Sequence, residues 1–357
     1  MKKIVLSGGG SAGHVNPALA VADALREALG AETELLYIGA LGKIEQKLVP
    51  KAGYRFVPLD IAGGLRRSVH PKDLAYNARA LAKNQAAVST AKRILRDFQP
   101  DAVIGTGGYV CYPVLKAAYG LKLKSVLYEC NVLPGLTVKS LANGADSILL
   151  GFEEARKYFG AKNQAKIAVT GIPVRKEFSG IRADSEMSGK PLLVSFWGSL
   201  GAKHMNSVML DFIRINEERG RFRHIHATGE HHWAAFEERL PKRLMYTEVT
   251  RYIDDMAEKL RASQAVICRA GASTLNELAV LGKPAVLVPS PYVAENHQEP
   301  NARAIEARGN AIVLREKDCT AEALFEAAEK ASELKPAPEI EILGAAGRIA
   351  EHIISLL

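Results

Sequence analysis

The sequence predicts an α/β protein made of two similar halves, each built around a parallel sheet. Three observations support this fold class. Short apolar segments alternate with helical patterns along the chain, a glycine run follows the first strand of each half, and a polar stretch without periodicity, 179–190, separates the halves. At 357 residues, the chain is long enough for each half to bury its own core.

The first half opens with a strand at 2–6 that ends in glycines. A helix is predicted over 17–29, with Pro17 in its first turn and Gly30 just past its end. Helical segments separate the later strands, which are predicted at 34–38, 101–105 and 124–129. Ligands of such sheets bind beyond the carboxyl ends of the strands, so two facing halves would form a cleft.

The second half repeats the pattern. We place the domain boundary within 172–190, and the strands that follow are predicted at 191–197, 224–228, 265–268 and 284–289. The ProAlaPro segment at 336–338 interrupts the chain before a last amphipathic helix, 339–357. The sequence therefore predicts two α/β halves followed by a C-terminal helix.

Composition excludes several classes of protein. Hydrophobic residues make up 48% and charged residues 24% of the chain, which is typical of a globular protein. The apolar run before the first glycines is too short for a signal peptide, and no run approaches the roughly 18 residues that span a bilayer. The net charge of +8 suits nucleic acid, an anionic membrane or phosphorylated substrates, and does not choose among them. The scattered cysteines indicate reduced thiols in a cytosolic protein: Cys111, Cys130, Cys268 and Cys319.

The first glycine run, Gly8 to Gly13, ends in His14 and joins a strand to a helix. Glycines there let a phosphate or sugar approach the backbone, and a helix N-terminus favours anions. The run also matches the dinucleotide fingerprint, but the second strand ends in Gly39 and lacks the expected acidic residue, which disfavours nicotinamide or flavin binding. His14 is a candidate general base because imidazole titrates near neutral pH; a structural hydrogen bond is the alternative.

The second half carries two further motifs. The glycine run after Trp197, Gly198 to Gly201, would present a helix N-terminus to a ligand, or is a plain turn. In the segment 268–278, Thr274 and Glu277 have the spacing of a capping box, which favours a helix cap. The functional alternative for Glu277 is a carboxylate that accepts hydrogen bonds from ribose hydroxyls.

Polar residues at Glu129 to Asn131 follow a predicted strand, and another polar loop covers 296–301. Turn chemistry and solvation are the alternatives to a binding role. A nucleophilic pair of Cys130 with His14 is conceivable, with no further support. Because the sequence has no Asp-x-Asp and no metal-ligand spacing, helix termini and backbone N–H groups must neutralise any bound diphosphate.

The segment 65–83 is basic, with apolar residues between the charges. A helix packed on the core is the default interpretation, and docking on an anionic bilayer is the alternative. Few aromatic residues accompany the charges, which argues against single-stranded nucleic acid. The charged residues are Arg66, Arg67, Lys72, Arg79 and Lys83 against the single acid Asp73.

Taken together, these segments resemble one family, the undecaprenyl-diphospho-muramoylpentapeptide N-acetylglucosaminyltransferases (MurG). The resemblance runs over nearly the whole chain, and it depends on the order and spacing of the motifs rather than on any one of them. They are GlySerAlaGlyHisVal (10–15), GlyThrGlyGlyTyrVal (105–110), GluCysAsnValLeuProGlyLeuThr (129–137), ValThrGlyIleProValArg (169–175), GlySerLeuGlyAla (198–202), TyrIleAspAspMet (252–256), ArgAlaGlyAlaSerThrLeuAsnGluLeu (269–278) and HisGlnGluProAsnAla (297–302).

The resemblance implies the glycosyltransferase B fold, in which two Rossmann-like domains face each other across a cleft. Residues 1–171, joined by helix 339–357, would form an acceptor and membrane-docking domain, and 172–338 a UDP-GlcNAc-binding domain. The implied reaction is an inverting, cofactor-free transfer of GlcNAc from UDP-GlcNAc to the 4-hydroxyl of MurNAc in undecaprenyl-diphospho-MurNAc-pentapeptide. The implied location is the cytoplasmic face of the cell membrane, and the implied pathway is peptidoglycan synthesis. Alternatives are a diacylglycerol glycosyltransferase and a non-catalytic UDP-sugar-binding relative.

The resemblance also assigns roles to single positions. His14 is the implied base, and 65–83 corresponds to the membrane-docking region. Three positions depart from the usual pattern: Trp197 replaces a glycine and raises the prospect of a crowded phosphate loop, Tyr128 replaces a histidine, and Cys130 replaces a glutamine. The implied contacts are the sugar or acceptor for Ser11, Ala12, Gly13 and Asn131; the diphosphate for Arg175 and Ser199; the uracil for the Ile253 backbone; the diphosphate and ribose for Ala272, Ser273, Thr274, Leu275, Asn276 and Glu277; and the donor sugar for Gln298.

Overall fold

The computed structural model describes residues 1–30, 32–63, 70–174, 176–178, 189–198, 201–293, 296–335, 338 and 340–357. The chain divides into two compact units, each with its own parallel sheet. Unit 1 comprises Met1–Val174 and Leu343–Leu357, and unit 2 comprises Arg175–Ile342. Most of the polar stretch 179–190 and of the ProAlaPro segment lies outside the described residues.

The sheet of unit 1 has seven parallel strands. They are β1 (Lys3–Ser7), β2 (Glu34–Ala40), β3 (Arg55–Leu59), β4 (Ala102–Gly105), β5 (Lys124–Glu129), β6 (Ser147–Leu150) and β7 (Ile167–Val169). Their order in the sheet is β3-β2-β1-β4-β5-β6-β7. The chain therefore runs outward in opposite directions from β1 and β4, which pair directly, and such a switch point is where open parallel sheets bind ligands.

Helices connect these strands, as the alternating sequence pattern predicted. They are α1 (Ala12–Leu29), α2 (Glu45–Lys51), α3 (Pro71–Phe98), α4 (Cys111–Gly120), α5 (Leu136–Leu141) and α6 (Ala161–Gln164), with 3₁₀ turns at Ala142–Gly144 and Glu153–Tyr158. The helices and the sheet enclose an apolar core that includes Val5, Ile38, Val103, Leu127 and Ile148.

The start of α1 differs from the prediction. We expected the helix to begin at Pro17, because proline favours the first turn, but α1 begins at Ala12 and Pro17 lies inside it. The helix follows directly from the glycine run, so its N-terminal turn belongs to the loop that precedes it. Proline has no N–H to donate to the residue four positions earlier, so the Gly13 carbonyl lacks its helical donor.

Unit 2 repeats the architecture with six parallel strands. They are β8 (Leu192–Phe196), β9 (Arg223–Ala227), β10 (Thr247–Thr250), β11 (Ala265–Cys268), β12 (Ala285–Leu287) and β13 (Ala311–Val313), in the order β10-β9-β8-β11-β12-β13. The helices are α7 (Lys203–Arg219), α8 (Trp233–Glu237), α9 (Met256–Ala262), α10 (Ala272–Leu281), α11 (Gln298–Glu306) and α12 (Ala321–Glu333). Short 3₁₀ segments cover Lys176–Phe178, Glu230–His232 and Glu316–Asp318.

The C-terminal segment belongs to unit 1. The predicted helix 339–357 is shorter than expected: a 3₁₀ segment, Ile340–Gly344, precedes α13 (Ala345–Ile354). Arg348 donates from Nε and Nη2 to the Thr170 carbonyl, at 3.1 and 2.9 Å. His352 Nε2 lies 2.6 Å from Ser147 Oγ. These polar contacts attach α13 to the part of unit 1 around β6 and β7.

The basic segment 65–83 is only partly described, because 64–69, with Arg66 and Arg67, lie outside the described residues. The C-terminal part of α3, beyond this segment, packs on the core of unit 1 through Ala87, Ala91 and Leu95. Near the start of the helix, Leu74 is 54% exposed. Every helix in the described part of the chain is too short or too polar to cross a bilayer.

A buried polar cluster lies in the core of unit 2. Ser195 Oγ on β8 lies 2.8 Å from His224 Nε2 and 2.7 Å from His226 Nδ1, both on β9. His226 Nε2 lies 3.3 Å from Asn206 Oδ1, and Asn206 Nδ2 donates to the Thr228 carbonyl at 2.9 Å. Burial lowers the pKa of His226 to about 3, and burial together with the neighbouring His226 lowers the pKa of His224. Both imidazoles are therefore neutral in the fold.

We expect this cluster to make unit 2 sensitive to acid. Above pH 6.5, the ordinary pKa of histidine, both imidazoles are neutral in the folded and in the unfolded chain. Below pH 6.5, the histidines of the unfolded chain take up protons while those of the folded chain stay neutral. Stability is therefore lost as pH falls below 6.5, and for His226 the loss continues towards pH 3 at about 1.4 kcal/mol per pH unit. The measurement is the melting temperature of unit 2 against pH. The His226→Phe variant should flatten the curve, and the exposed control His204→Ala should not; equal slopes in all three proteins would contradict the account.

Candidate functional site

The sequence-predicted site residues fall into two groups, one on each unit. In unit 1, the glycine run at the carboxyl end of β1 meets the loop that follows β4. In unit 2, the residues lie at or beyond the carboxyl ends of β8, β10, β11 and β12. Arg175 and Ser199, two of the predicted diphosphate ligands, lie outside the described residues.

The glycine run of unit 1 fits against the loop after β4 without room for side chains. A Cβ on Gly108 would lie 2.1 Å from the Gly9 carbonyl oxygen, and Gly108 has φ +79°. A Cβ on Gly107, at φ +98°, would lie 2.6 Å from His14 Nδ1. Both positions therefore need glycine, because the backbone is left-handed and the space is occupied. The fit brings the loop after β4 directly against the His14 ring.

His14 lies in the first turn of α1 and is partly buried. Its Nδ1 is 3.1 Å from the Thr106 carbonyl, and Thr106 Oγ1 donates to the His14 carbonyl at 2.8 Å. A carbonyl only accepts, so Nδ1 carries the proton, and Nε2 is the basic nitrogen of the neutral ring. Thr106 thus fixes both the ring's tautomer and the backbone beneath it, which is the arrangement a general base requires.

The residues just before His14 form the start of α1. Ser11 is exposed and is the N-cap residue, but its side chain makes no capping hydrogen bond within the described structure. No acidic residue occupies the first turn. The Gly13 carbonyl, left without a helical donor by Pro17, has Cys130 Sγ 3.9 Å away. Ser11, Ala12 and Gly13 therefore present backbone and hydroxyl groups beside His14.

The loop after β5 is held together by Glu129. Its Oε1 accepts from Asn131 N and Asn131 Nδ2, both at 2.9 Å, and its Oε2 accepts from Gly135 N at 3.0 Å. Burial raises the pKa of the Glu129 carboxyl, and these donors oppose the rise. Turn formation thus explains why a glutamate occupies position 129. Asn131 is 7% exposed and lies in the loop that these hydrogen bonds stabilise.

The structure disfavours Cys130 as a nucleophile. The residue is 3% exposed, and burial, reinforced by Glu129, raises the pKa of its thiol well above 9.0. Burial and the raised pKa both disfavour a reactive thiolate, and they therefore argue against the hypothesis of a Cys130–His14 pair. Tyr128, the second unusual residue here, is buried and donates to the Gly171 carbonyl at 3.1 Å, which is a structural role.

Trp197, directly before the second glycine run, is buried. Its side chain is 4% exposed and belongs to the apolar core, where its ring lies edge-on to His226. The guanidinium carbon of Arg269 lies 5.6 Å from the centre of the tryptophan ring. Arg269 is itself paired with Glu316 at 2.7 Å. The tryptophan ring therefore belongs to the core of unit 2, while Ser199 and Leu200 of the glycine run lie outside the described residues.

The N-terminus of α10 differs from the capping interpretation. The N-cap residue is Gly271, so Thr274 lies inside the helix, and Thr274 and Glu277 do not form a capping box. In the described structure, no side chain caps this helix and no acidic residue lies in its first turn. The buried Ser273 Oγ also finds no hydrogen-bond partner among the described residues. The first turn, Ala272 to Thr274, thus keeps the N–H groups and the positive dipole end that suit an anion.

Glu277 lies in the second turn of the same helix and is 6% exposed. Its neighbours Leu275 and Asn276 are also buried, at 1% and 5%. The capping interpretation of Glu277 is wrong, because the helix begins earlier, and the ribose-binding alternative stays a prediction.

Two further residues that are predicted to contact the sugar-nucleotide donor lie outside α10. Gln298, at the start of α11, is 9% exposed and accepts from Ser290 N through Oε1 at 2.9 Å, which orders the loop before it. Ile253 follows β10, with a buried side chain. Its backbone N–H and C=O make no hydrogen bond to the described residues, which leaves both groups for a ligand. No cluster of three or more potential metal ligands occurs among the described residues.

Sequence reasoning missed the residues that support the first glycine run. Tyr37 donates from its hydroxyl to the Gly8 carbonyl at 2.9 Å, and Glu45 accepts from Gly10 N at 3.2 Å. Neither belongs to a motif, because each reaches the loop from a different element through the fold. Thr106 was within a quoted motif, but nothing in the sequence indicated its two bonds to His14.

Comparison with known families defines the class of protein. The N-terminal domain model of glycosyltransferase family 28 matches residues 4–150, and the C-terminal domain model of the same family matches residues 192–348. Together with two parallel-sheet α/β units, these matches confirm the predicted fold class. The protein is a family 28 glycosyltransferase with the glycosyltransferase B fold.

Individual relatives narrow this class. A UDP-N-acetylglucosamine–N-acetylmuramyl-(pentapeptide) pyrophosphoryl-undecaprenol N-acetylglucosamine transferase of Acetivibrio thermocellus is 36% identical, over 99% of this chain and 98% of its own. A protein of the same name from Lactococcus lactis subsp. lactis is 38% identical over 91% and 89%. The crystal structure of Acinetobacter baumannii MurG has a TM-score of 0.74 at 25% identity, covering 99% of this chain and all of that one. The chain belongs to the MurG family.

Proposed function

We propose that this protein transfers GlcNAc from UDP-GlcNAc to the 4-hydroxyl of MurNAc in undecaprenyl-diphospho-MurNAc-pentapeptide. The relatives named above, matched over almost their full length, carry that activity in their names. The observation that carries the proposal for this chain is the hydrogen bond from His14 Nδ1 to the Thr106 carbonyl, which leaves Nε2 as the base.

The donor binds to unit 2. The open first turn of α10 receives the diphosphate, since its N–H groups and dipole favour negative charge and no side chain competes for them in the described structure. The uracil pairs with the backbone of Ile253, and Glu277 accepts hydrogen bonds from the ribose hydroxyls. Gln298 contacts the sugar, with Arg175 and Ser199 assigned to the diphosphate by resemblance alone.

The acceptor binds to unit 1, at Ser11 to Gly13 and Asn131. The acceptor's 4-hydroxyl oxygen attacks the anomeric carbon, and the bond from that carbon to the diphosphate oxygen breaks, so that UDP leaves with the electron pair. His14 Nε2 takes the hydroxyl proton. The helix dipole of α10 stabilises the charge that develops on the leaving diphosphate. One displacement inverts the α-linked donor to a β-1,4 product, and no covalent enzyme intermediate is needed.

The start of α3 supports docking on an anionic membrane surface at the cytoplasmic face. Leu74, Lys72 and Arg79 are all exposed in the first turns of this helix. Basic residues next to exposed apolar ones suit an anionic bilayer. Lys83 contributes less, because its Nζ is 2.7 Å from Asp60 Oδ1.

The proposal is tested by transfer of radiolabelled GlcNAc from UDP-GlcNAc. The acceptors are an isoprenoid-diphosphate MurNAc-pentapeptide and, in parallel, diacylglycerol, each presented in anionic and in zwitterionic vesicles. We expect labelled product from the isoprenoid acceptor only, with a faster rate in anionic vesicles. Transfer to diacylglycerol alone would replace the proposed acceptor, and binding of UDP-GlcNAc without transfer to either would make the chain a non-catalytic relative.

A further inference from the structure

Glu45 is a fully buried carboxylate directly beneath the first glycine run. It begins α2, outside every motif discussed above. Its Oε1 accepts from Ala40 N at 3.0 Å and its Oε2 from Gly10 N at 3.2 Å. A Cβ on Gly9 would lie 2.2 Å from Oε1, so the loop rests on the carboxylate without an intervening side chain.

This arrangement changes what the glycine run can bind. A phosphate-binding loop offers its backbone N–H groups to the anion. Here Gly10 N donates to Glu45, and Gly9 N donates to the Gly107 carbonyl at 3.4 Å. A carboxylate beneath the loop also repels an approaching anion.

We propose that Glu45 is a positioning residue that holds the first glycine run in the shape His14 requires and reserves it for an uncharged, hydroxyl-bearing sugar ring rather than a phosphate. The inference rests on the proposed function and concerns the acceptor half of that site. The acceptor's diphosphate then lies away from Gly8 to Gly10, and the ring that carries the reacting hydroxyl lies beside the loop.

The connection from Glu45 to His14 is short. Gly10 precedes Ser11, the N-cap of α1, and His14 lies in the first turn of that helix. On the other side of the loop, Tyr37 donates to the Gly8 carbonyl at 2.9 Å. The loop is therefore fixed at Gly8 and at Gly10, and releasing one end lets the start of α1 shift relative to the substrate.

Only glutamate meets both bonding requirements. Two backbone N–H groups need two acceptor oxygens, one on each branch of the side chain. Glutamine has the same shape, but its NH₂ group would face one of the N–H donors. Aspartate keeps the charge and is one methylene shorter, so it cannot reach Ala40 N and Gly10 N together. The two substitutions thus separate the charge of Glu45 from its reach.

The test compares Glu45→Gln and Glu45→Asp with the wild-type protein in the transfer assay. Since misplacement of catalytic groups by about 1 Å costs roughly 10²-fold, we expect kcat to fall about 10- to 100-fold in both variants. The dissociation constant of UDP, which binds unit 2, should stay unchanged. Inorganic pyrophosphate, tested as a competitor of the acceptor, should inhibit Glu45→Gln at lower concentration than wild type, because the repelling charge is gone.

Asp146→Asn is the matched control. Asp146 also accepts from a backbone N–H of unit 1, that of Ser125 at 2.8 Å, but away from the glycine run. The Asp146→Asn variant should leave kcat and pyrophosphate inhibition unchanged. If Glu45→Gln fails to fold, Tyr37→Phe decides, because it removes one bond to the same loop and should lower kcat several-fold with UDP affinity intact.

Two results would overturn the inference. One is wild-type kcat in both Glu45→Gln and Tyr37→Phe; the other is a fall in kcat accompanied by an equal loss of UDP affinity, as general unfolding would give. Failure of the proposed function is distinguishable, since the wild-type protein itself would then not transfer GlcNAc.

Discussion

Replacement of His14 by alanine is expected to lower kcat for GlcNAc transfer by about 10²- to 10⁴-fold, the usual contribution of a general base. The Thr106 carbonyl accepts from Nδ1 and fixes Nε2 as the basic nitrogen, so the variant loses the group that removes the hydroxyl proton. The dissociation constant of UDP should not change, because the donor binds unit 2. Steady-state kinetics with purified lipid acceptor, together with calorimetry of UDP binding, measure both quantities.

Two further variants sharpen this experiment. His14→Asn keeps an N–H for the Thr106 carbonyl but has no basic nitrogen, and should lose as much activity as His14→Ala. His352→Ala removes a half-buried histidine of the same unit that contacts Ser147 and should retain nearly full turnover. Full turnover in His14→Ala would remove His14 from the role of base.

Replacement of Glu277 by alanine is expected to weaken UDP-GlcNAc binding by about 10- to 100-fold, as loss of a hydrogen bond to a charged group of roughly 1.5–3 kcal/mol would give. Glu277 is buried in the second turn of α10 and is not part of a helix cap. The dissociation constants of UDP and of 2′,3′-dideoxy-UDP should be measured for both proteins.

The nucleotide pair makes the prediction specific. Wild-type protein should bind UDP more tightly than the dideoxy analogue, and Glu277→Ala should bind the two almost equally, because the lost interaction is with the hydroxyls. Glu329 lies on α12 and forms a partly exposed ion pair with Arg221, so the Glu329→Ala variant should keep the wild-type discrimination. Unchanged discrimination in Glu277→Ala would refute the ribose assignment.

The sequence predicted eight of the strands closely, because buried parallel strands are short apolar runs between helices. It did not predict β3, β6, β7, β10 and β13. It misplaced the start of α1, since the preference for proline in a first turn is local, whereas the glycine run packs against Gly107 and Gly108 and so continues into the helix. It favoured a cap for Glu277 because spacing alone does not show where a helix begins. Gly271 as the N-cap corrects that choice.

The parts of the site that the sequence could not predict are those made by tertiary contacts. Glu45 and Tyr37 reach the glycine run from α2 and β2, and no periodicity or motif marks them. The unusual Trp197 suggested a crowded loop, but a side chain's direction depends on the strand's register, and here the ring enters the core. His14 was predicted from its position after the glycines, whereas its tautomer required the position of Thr106.

The central claim is that unit 2 holds the leaving UDP at the open N-terminus of α10 while unit 1 supplies the base. A crystal structure of the protein soaked with UDP tests it most directly. The account predicts diphosphate density at the N–H groups of Ala272 to Thr274, with the uracil at the Ile253 backbone and the ribose at Glu277. Well-defined UDP density bound at the first glycine run of unit 1 instead would contradict it.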